Sequence, residues 1–157
     1  MVDDAFIDFL RTTGRLGHVF KALSGFLDVV EGYVAEFIVL TRLSLAGFRP
    51  VDVRPRKWFD FVMDFCGYRY FIEVKKGVDD ARVRSSLYRK VSSFARYLLS
   101  RMVMPRLWGY CNRYVVAVPE NDYIYIYDIT DALIEAMNGR DYVKPLNYAL
   151  SEPSAII

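Results

Sequence analysis

The sequence predicts an α/β (α+β) domain with a central mixed sheet of about five strands flanked by helices, and three observations carry that prediction. First, residues 58–76 read WFDFVMDFCGYRYFIEVKK. Asp60, Val62 and Asp64 alternate with Phe59, Phe61, Met63 and Phe65, the period of two that marks a strand, and 68–75 is again aromatic and β-branched. Second, residues 81–102 carry an apolar stripe at helical spacing: Val83, Leu87, Val91, Phe94, Leu98 and Met102. Third, 114–118 is the unbroken apolar run YVVAV expected of a central strand. A hairpin, a crossover helix and a further strand make a mixed sheet.

The elements follow in order. Residues 3–12 and 17–30 read as short helices broken at Thr13-Gly14, and 31–46 as a third helix ended by Gly47. A strand at 48–54 precedes the hairpin, whose turn is Cys66-Gly67, with glycine supplying the positive φ a tight hairpin needs. Asp80 is placed to cap the 81–102 helix. After 114–118, Pro119-Glu120-Asn121 turns into a strand at 123–127, and Asp128 or Thr130 caps a last helix ending near Asn138-Gly139. The tail from Asp141 is polar, contains proline and is expected to be ordered only in part. The predicted order is thus α-βββ-α-β-β-α behind an extra N-terminal helical segment. It forms one domain over 1–157, with a helical extension (1–30), a core (31–128) and a C-terminal helix and tail (129–157).

Composition excludes several classes. No apolar run is long enough to span a bilayer, and the opening MVDDAFIDFL is acidic and amphipathic, so neither a membrane protein nor a signal peptide is expected, and the location expected is cytoplasmic. Two cysteines and one histidine exclude a zinc site or a four-cysteine iron–sulfur cluster within this chain. Glutamine is absent, and scarce amides point to a thermophilic source. The net charge of +2 hides a segregation: 81–119 contains no acid but eight basic residues, and Arg49, Arg54, Arg56 and Lys57 form a second cluster. That is the footprint of a polyanion binder; the competing reading is a solvated helix face, which would normally mix signs. Arg82, Arg89 and Arg96 recur every seven residues opposite the apolar stripe, an exposed ridge suited to a phosphate backbone.

The hairpin also aligns chemistry. A two-residue turn pairs 65 with 68, 64 with 69 and 62 with 71, which sets Asp60 opposite Glu73 with Cβ atoms roughly 5 Å apart. Two carboxylates at that separation suit a shared Mg²⁺, and Lys75 lies on the same face, within reach of a phosphate or an attacking water. Asp64 opposite Arg69 reads as an ordinary cross-strand ion pair, and a lone E-x-K is often only a solvated strand face. On the third helix Glu36 falls on the apolar side with Tyr33, Leu40 and Leu43. An inward carboxylate must be paired or bind a metal, so Glu36 is either a structural acid capped by a tyrosine or an arginine, or a functional one.

These residues resemble the PD-(D/E)xK, or restriction-endonuclease-like, nuclease superfamily, whose core runs helix, three strands, helix, strand. The family's acid on the first helix, aspartate on the second strand and E-x-K on the third match Glu36, Asp60, and Glu73 with Lys75. Within the superfamily the chain is most similar to archaeal Holliday junction resolvases, through GYVAEFIVLTRLSLAGFRPV and YRKVSSFARYL. The resemblance covers about 31–128. Phe59 stands where the motif has proline, and no glutamine exists for the family's second helix, where Lys90, Tyr88 or Ser86 are the candidates.

The resemblance implies metal-dependent hydrolysis of DNA phosphodiesters, duplex or branched, with little sequence specificity. It implies Mg²⁺ or Mn²⁺ held by Asp60, Glu73, Glu36 and the carbonyl of Val74, with Lys75 acting on the water. Arg54, Arg56, Lys57 and Lys76 before the helix, and Arg82, Arg84, Arg89, Lys90 and Arg96 on it, are the expected DNA contacts. A homodimer is also implied. The alternatives are a DNA-binding protein on a degenerate nuclease fold and an assembly protein using its aromatic surfaces.

Overall fold

The structure, a computed structural model, describes residues 4–22 and 25–157. Helices α1 (Asp4–Thr12), α2 (Leu16–Lys21) and α3 (Phe26–Leu45) come first. The break at Thr13-Gly14 is as expected, with Gly14 at a φ of 78°. The expected boundary between 30 and 31 is absent, because α3 starts after Gly25 (φ 72°) and continues through Gly32. Val29, Val30 and Tyr33 pack against the same core as the rest of the helix, and that burial outweighs the ~1 kcal/mol a mid-helix glycine costs. The first residue of the expected 3–12 helix, and positions 23–24 of the expected 17–30 helix, lie outside the described residues.

Strand β1 (Arg49–Asp52) leads into the hairpin of β2 (Phe61–Phe65) and β3 (Tyr68–Val74). The pairing register is the expected one, with Phe65 opposite Tyr68, Asp64 opposite Arg69 and Val62 opposite Phe71. Both turn residues take positive φ, Cys66 at 49° and Gly67 at 83°, the geometry that matches the twist of the strands. A left-handed cysteine is strained, so Cys66→Asn is expected to stabilise the fold by up to about 1 kcal/mol, readable as a higher Tm. Asp64 is a surface ion-pair residue. Arg69 grips it through both carboxylate oxygens at 2.9 and 3.1 Å, and Arg49 adds a contact at 3.0 Å. These partners are exposed enough that Asp64→Asn should cost no more than ~1 kcal/mol in chemical denaturation.

After the hairpin come α4 (Ala81–Ser100), α5 (Pro105–Cys111), β4 (Asn112–Glu120), β5 (Tyr123–Asp128), α6 (Thr130–Met137), α7 (Val143–Ala149) and β6 (Ala155–Ile156). The Asp80 side chain accepts from the N–H groups of Arg82 and Val83, the expected cap of α4. The described residues form one mixed sheet of six strands in the order β1-β2-β3-β4-β5-β6, antiparallel except for the parallel β3–β4 pair that the α4 crossover allows. Three expectations are corrected. Met102 lies outside α4 and is 89 % exposed, because the helix stops at Ser100 and the chain turns through a left-handed Met102. Helix α5 was not foreseen. The tail from Asp141 is ordered throughout: α7 buries Leu146 against the helical core, and β6 adds a strand beside β5.

The sheet is covered on both faces. On one, Phe61, Met63, Ile72, Val74, Val115 and Ala117 pack with Phe6, Phe9, Val39 and Leu43 of α1 and α3. On the other, Tyr114, Val116 and Val118 pack with Leu87, Val91, Phe94 and Leu98 of α4 and with Leu133 and Leu146. Alternate residues of β4 are therefore buried on opposite faces, which is why its sequence is continuously apolar. Among the described residues no helix is long and apolar enough to cross a membrane.

Candidate functional site

The site forms where β2 begins and β3 ends. Asp60 is expected to lie in β2 directly across from Glu73, but the strand starts one residue later, at Phe61. The preceding chain is pinned: the Arg56 N–H donates to the Phe59 carbonyl at 2.9 Å, the Tyr114 hydroxyl to the Trp58 carbonyl at 2.5 Å, and the Trp58 indole to Ser93 at 2.9 Å. Asp60 emerges from this turn with its N–H on the Ile72 carbonyl at 2.8 Å, and its Oδ2 accepts the Val74 N–H at 2.8 Å. Its carboxylate thus replaces a backbone acceptor at the edge of β3. In an extended strand the N–H and C=O of one residue point the same way, so the Val74 carbonyl faces this edge too.

The neighbours of Asp60 come from both faces of the sheet. Glu36, on α3, lies close enough to Asp60 to feel its charge. Burial first, then the Asp60 charge, push the Glu36 carboxyl up to about 8; Arg15 pulls it down but does not prevail. On the α4 face the buried Glu73 pairs with the Lys90 ammonium. Lys75 is half-buried, with its Nζ 3.4 Å from the Ser86 hydroxyl. Burial lowers the pKa of both lysines, opposed by the charges of Asp60 and Glu36. The expected facing pair of Asp60 and Glu73 is therefore replaced by two arrangements, Asp60 with Glu36 and Glu73 with Lys90.

The residue missed in the sequence is Arg15. It is fully buried. Its Nε and Nη2 donate to Glu36 Oε1 at 3.1 and 2.9 Å, Nη1 donates to the Val53 carbonyl at 2.6 Å, and Nη2 reaches the Asp60 carbonyl at 3.3 Å. The rings of Phe9, Phe61 and Tyr33 surround the guanidinium at 4.9, 5.1 and 5.8 Å, and Tyr33 bonds His18. The helical extension is thus part of the site and not an appendage. An inward Glu36 that needs a cation, and an arginine at a helix break flanked by Leu10 and Leu16, were the available signals.

The expected DNA contacts divide. Arg82, Arg89 and Arg96 project from the exposed face of α4, and Arg54 and Lys57, in the chain before Asp60, are exposed as well. Lys57, Trp58, Arg89, Lys90 and Arg96 line an open groove of about 640 Å³. Others are engaged: Arg56 with Asp52 at 3.0 Å, Lys76 with Glu31 at 2.8 Å, and Arg84 with the Val78 carbonyl at 2.8 Å and Asn147 at 2.9 Å. Lys90 turns inward to Glu73.

Carboxylate and carbonyl oxygens are the hard donors that Mg²⁺ or Mn²⁺ takes, and Asp60, Glu36, Glu73 and the Val74 carbonyl supply that type of donor at this end of the sheet. Among the described residues no three His, Cys, Asp or Glu side chains cluster as a metal cage, and Glu73 is paired with Lys90. Comparison of the chain with protein-family models, curated proteins and solved structures gives no match.

Proposed function

We propose that this chain is a metal-dependent deoxyribonuclease with a restriction-endonuclease-like core. The observation that carries the reading is the position of Asp60. One carboxylate at the end of β3 stands among Glu36, Lys75 and Lys90, next to a groove lined with cations. The order of α3 to β4, helix, three strands, helix, strand with the short α5 inserted before β4, supports the same reading. Asp60, Glu73 and the Val74 carbonyl would hold the ion, with Glu36 near enough to Asp60 to feel its charge. When bound, Mg²⁺ or Mn²⁺ supplies Lewis-acid polarisation of the scissile phosphate and a more acidic water. Lys75, with its lowered pKa, is neutral and so free to accept a proton at Nζ for a larger fraction of the time than a free lysine and, once charged, steadies the developing negative charge. Arg82, Arg89 and Arg96 hold phosphates, which positions DNA without reading sequence.

A second reading, DNA binding on a degenerate nuclease fold, is favoured by one observation: Glu73 and Glu36 already have cationic partners in Lys90 and Arg15. Incubation with linear duplex and four-way-junction DNA under Mg²⁺, Mn²⁺ or EDTA separates the two. Metal-dependent cleavage is expected, and binding without cleavage under any metal leaves only the second reading. Binding should weaken steeply with salt, and each of Arg82→Ala, Arg89→Ala and Arg96→Ala should reduce the slope of log K against log[salt] by about 1.

A further inference from the structure

We propose that the outer face of α3 is the surface through which two copies of this chain pair, the two helices lying antiparallel about a two-fold axis near residue 36. The contact lies on the side of α3 facing away from Glu36 and uses none of the side chains around Asp60. The inward side of α3 buries Ala35, Glu36, Val39 and Leu43. The outward side is apolar too. Leu27, Val34, Ile38 and Leu45 stand in line along it, with Leu27 72 % and Leu45 84 % exposed. A helix that is apolar on both sides is normally covered on both. With Glu31 and Thr41 these residues complete one stripe, Leu27, Glu31, Val34, Ile38, Thr41 and Leu45, whose steps alternate between four and three residues, the repeat by which two helices mesh along a seam. Val34 and Ile38 also line an open groove of about 340 Å³ together with Val30 and Pro119.

The symmetry of the stripe identifies its occupant. From either end it runs leucine, polar, aliphatic, aliphatic, polar, leucine. An antiparallel copy therefore sets Leu27 against the second copy's Leu45, Val34 against its Ile38, and Glu31 beside its Thr41. Charge agrees with this direction. Glu31 and Arg42 are eleven residues apart, about three turns, so both flank the stripe on the same side. Antiparallel pairing brings each to the other twice over, whereas a parallel copy would set Glu31 beside Glu31 and Arg42 beside Arg42. Within one chain Glu31 holds Lys76 at 2.8 Å and Arg42 reaches the Tyr123 carbonyl at 3.4 Å. A guanidinium carries five N–H donors, so that contact leaves others for a carboxylate. Helix α4 and its cationic groove cover the opposite face of the sheet, so the pairing leaves that groove open on both copies.

The test is sedimentation velocity of the full chain from micromolar to near-millimolar concentration, with the fold followed by circular dichroism. The wild-type chain is expected to reach twice the 18.3 kDa of one copy. Val34→Glu, which puts an acid on each side of the axis, is expected to stay folded and to raise the dissociation constant ~100-fold or more. Arg42→Glu alone and Glu31→Arg alone each oppose like charges and are expected to weaken the dimer, while an equimolar mixture of the two restores both ion pairs and should dimerise more tightly than either variant by itself. A wild-type chain that stays monomeric throughout would overturn the proposal and leave the stripe to an amphipathic helix of another protein. A dimer that a folded Val34→Glu leaves intact would place the contact elsewhere and overturn it as well. So would a mixture of the two charge variants that associates no better than its components. If Val34→Glu does not fold, the wild-type mass and the mixing experiment decide.

Discussion

On the proposed nuclease reading, Lys75→Met will leave the fold and DNA binding nearly intact and lower the cleavage rate by roughly 10²–10⁴-fold, the usual worth of a positioned proton acceptor. The side chain is only half-buried and its one recorded hydrogen bond, to Ser86, is long at 3.4 Å, so little stability depends on it. Asp60→Asn will be as damaging to cleavage for a different reason. The amide oxygen can still accept the Val74 N–H, but the charge is gone. Asp64→Asn, one residue from β2's other end on the same hairpin, should cut normally, which separates chemistry from hairpin stability. Because burial pulls the Lys75 ammonium below 10.5, the wild-type rate should rise with pH through the region where Lys75 loses its proton and level off below that value. Single-turnover rates across pH, for wild type and Lys75→Met, check this; a pH limb unchanged in Lys75→Met would remove Lys75 from the proton transfer.

Arg15→Met will destabilise the fold by about 3–5 kcal/mol, since removing one partner strands a buried acid; for a chain of this size that is a fall in Tm of about 10 °C. Replacing both partners, Arg15→Met with Glu36→Leu, should recover most of the loss, and the double-mutant cycle measures the coupling. The sign of the pH dependence follows from Glu36. Its folded pKa is raised from 4.5 to about 8, so between those values the folded chain holds more protons than the unfolded one, and stability falls as pH rises. Thermal unfolding of the wild type should show Tm dropping from pH 5 to pH 8 and then flattening. In Glu36→Gln that decline should disappear.

Much of this was legible in local pattern. The hairpin register followed from the two-residue Cys66-Gly67 turn, the burial of β4 from its unbroken apolar run, and the inward face of Glu36 from its spacing to Tyr33 and Leu40. What was not legible depended on long-range contacts. The departure of Asp60 from its strand is set by Tyr114 and Ser93 holding Trp58, residues distant in sequence. The order of the last residues depends on α7 finding α4 and α6, through Arg84, Tyr88 and Asn147. Arg15 lay outside the stretch that resembles the nuclease core, and its partners Glu36, Val53 and Asp60 are 21 to 45 positions away.

On the proposed nuclease reading, the contacts of Arg15 also tie cleavage to a local unfolding event. Helices α1 and α2 are short and are anchored by few buried residues, Phe6, Phe9, Leu10 and Val19, so they form the kind of peripheral unit that opens at a free energy below that of global unfolding. Each such opening withdraws the guanidinium from Glu36 and Asp60 while α3 and the sheet stay folded. Amide exchange in α1–α2 should therefore report the lifetime of the assembled site, and at high temperature the loss of activity should track the detachment of these two helices ahead of the melting of the core.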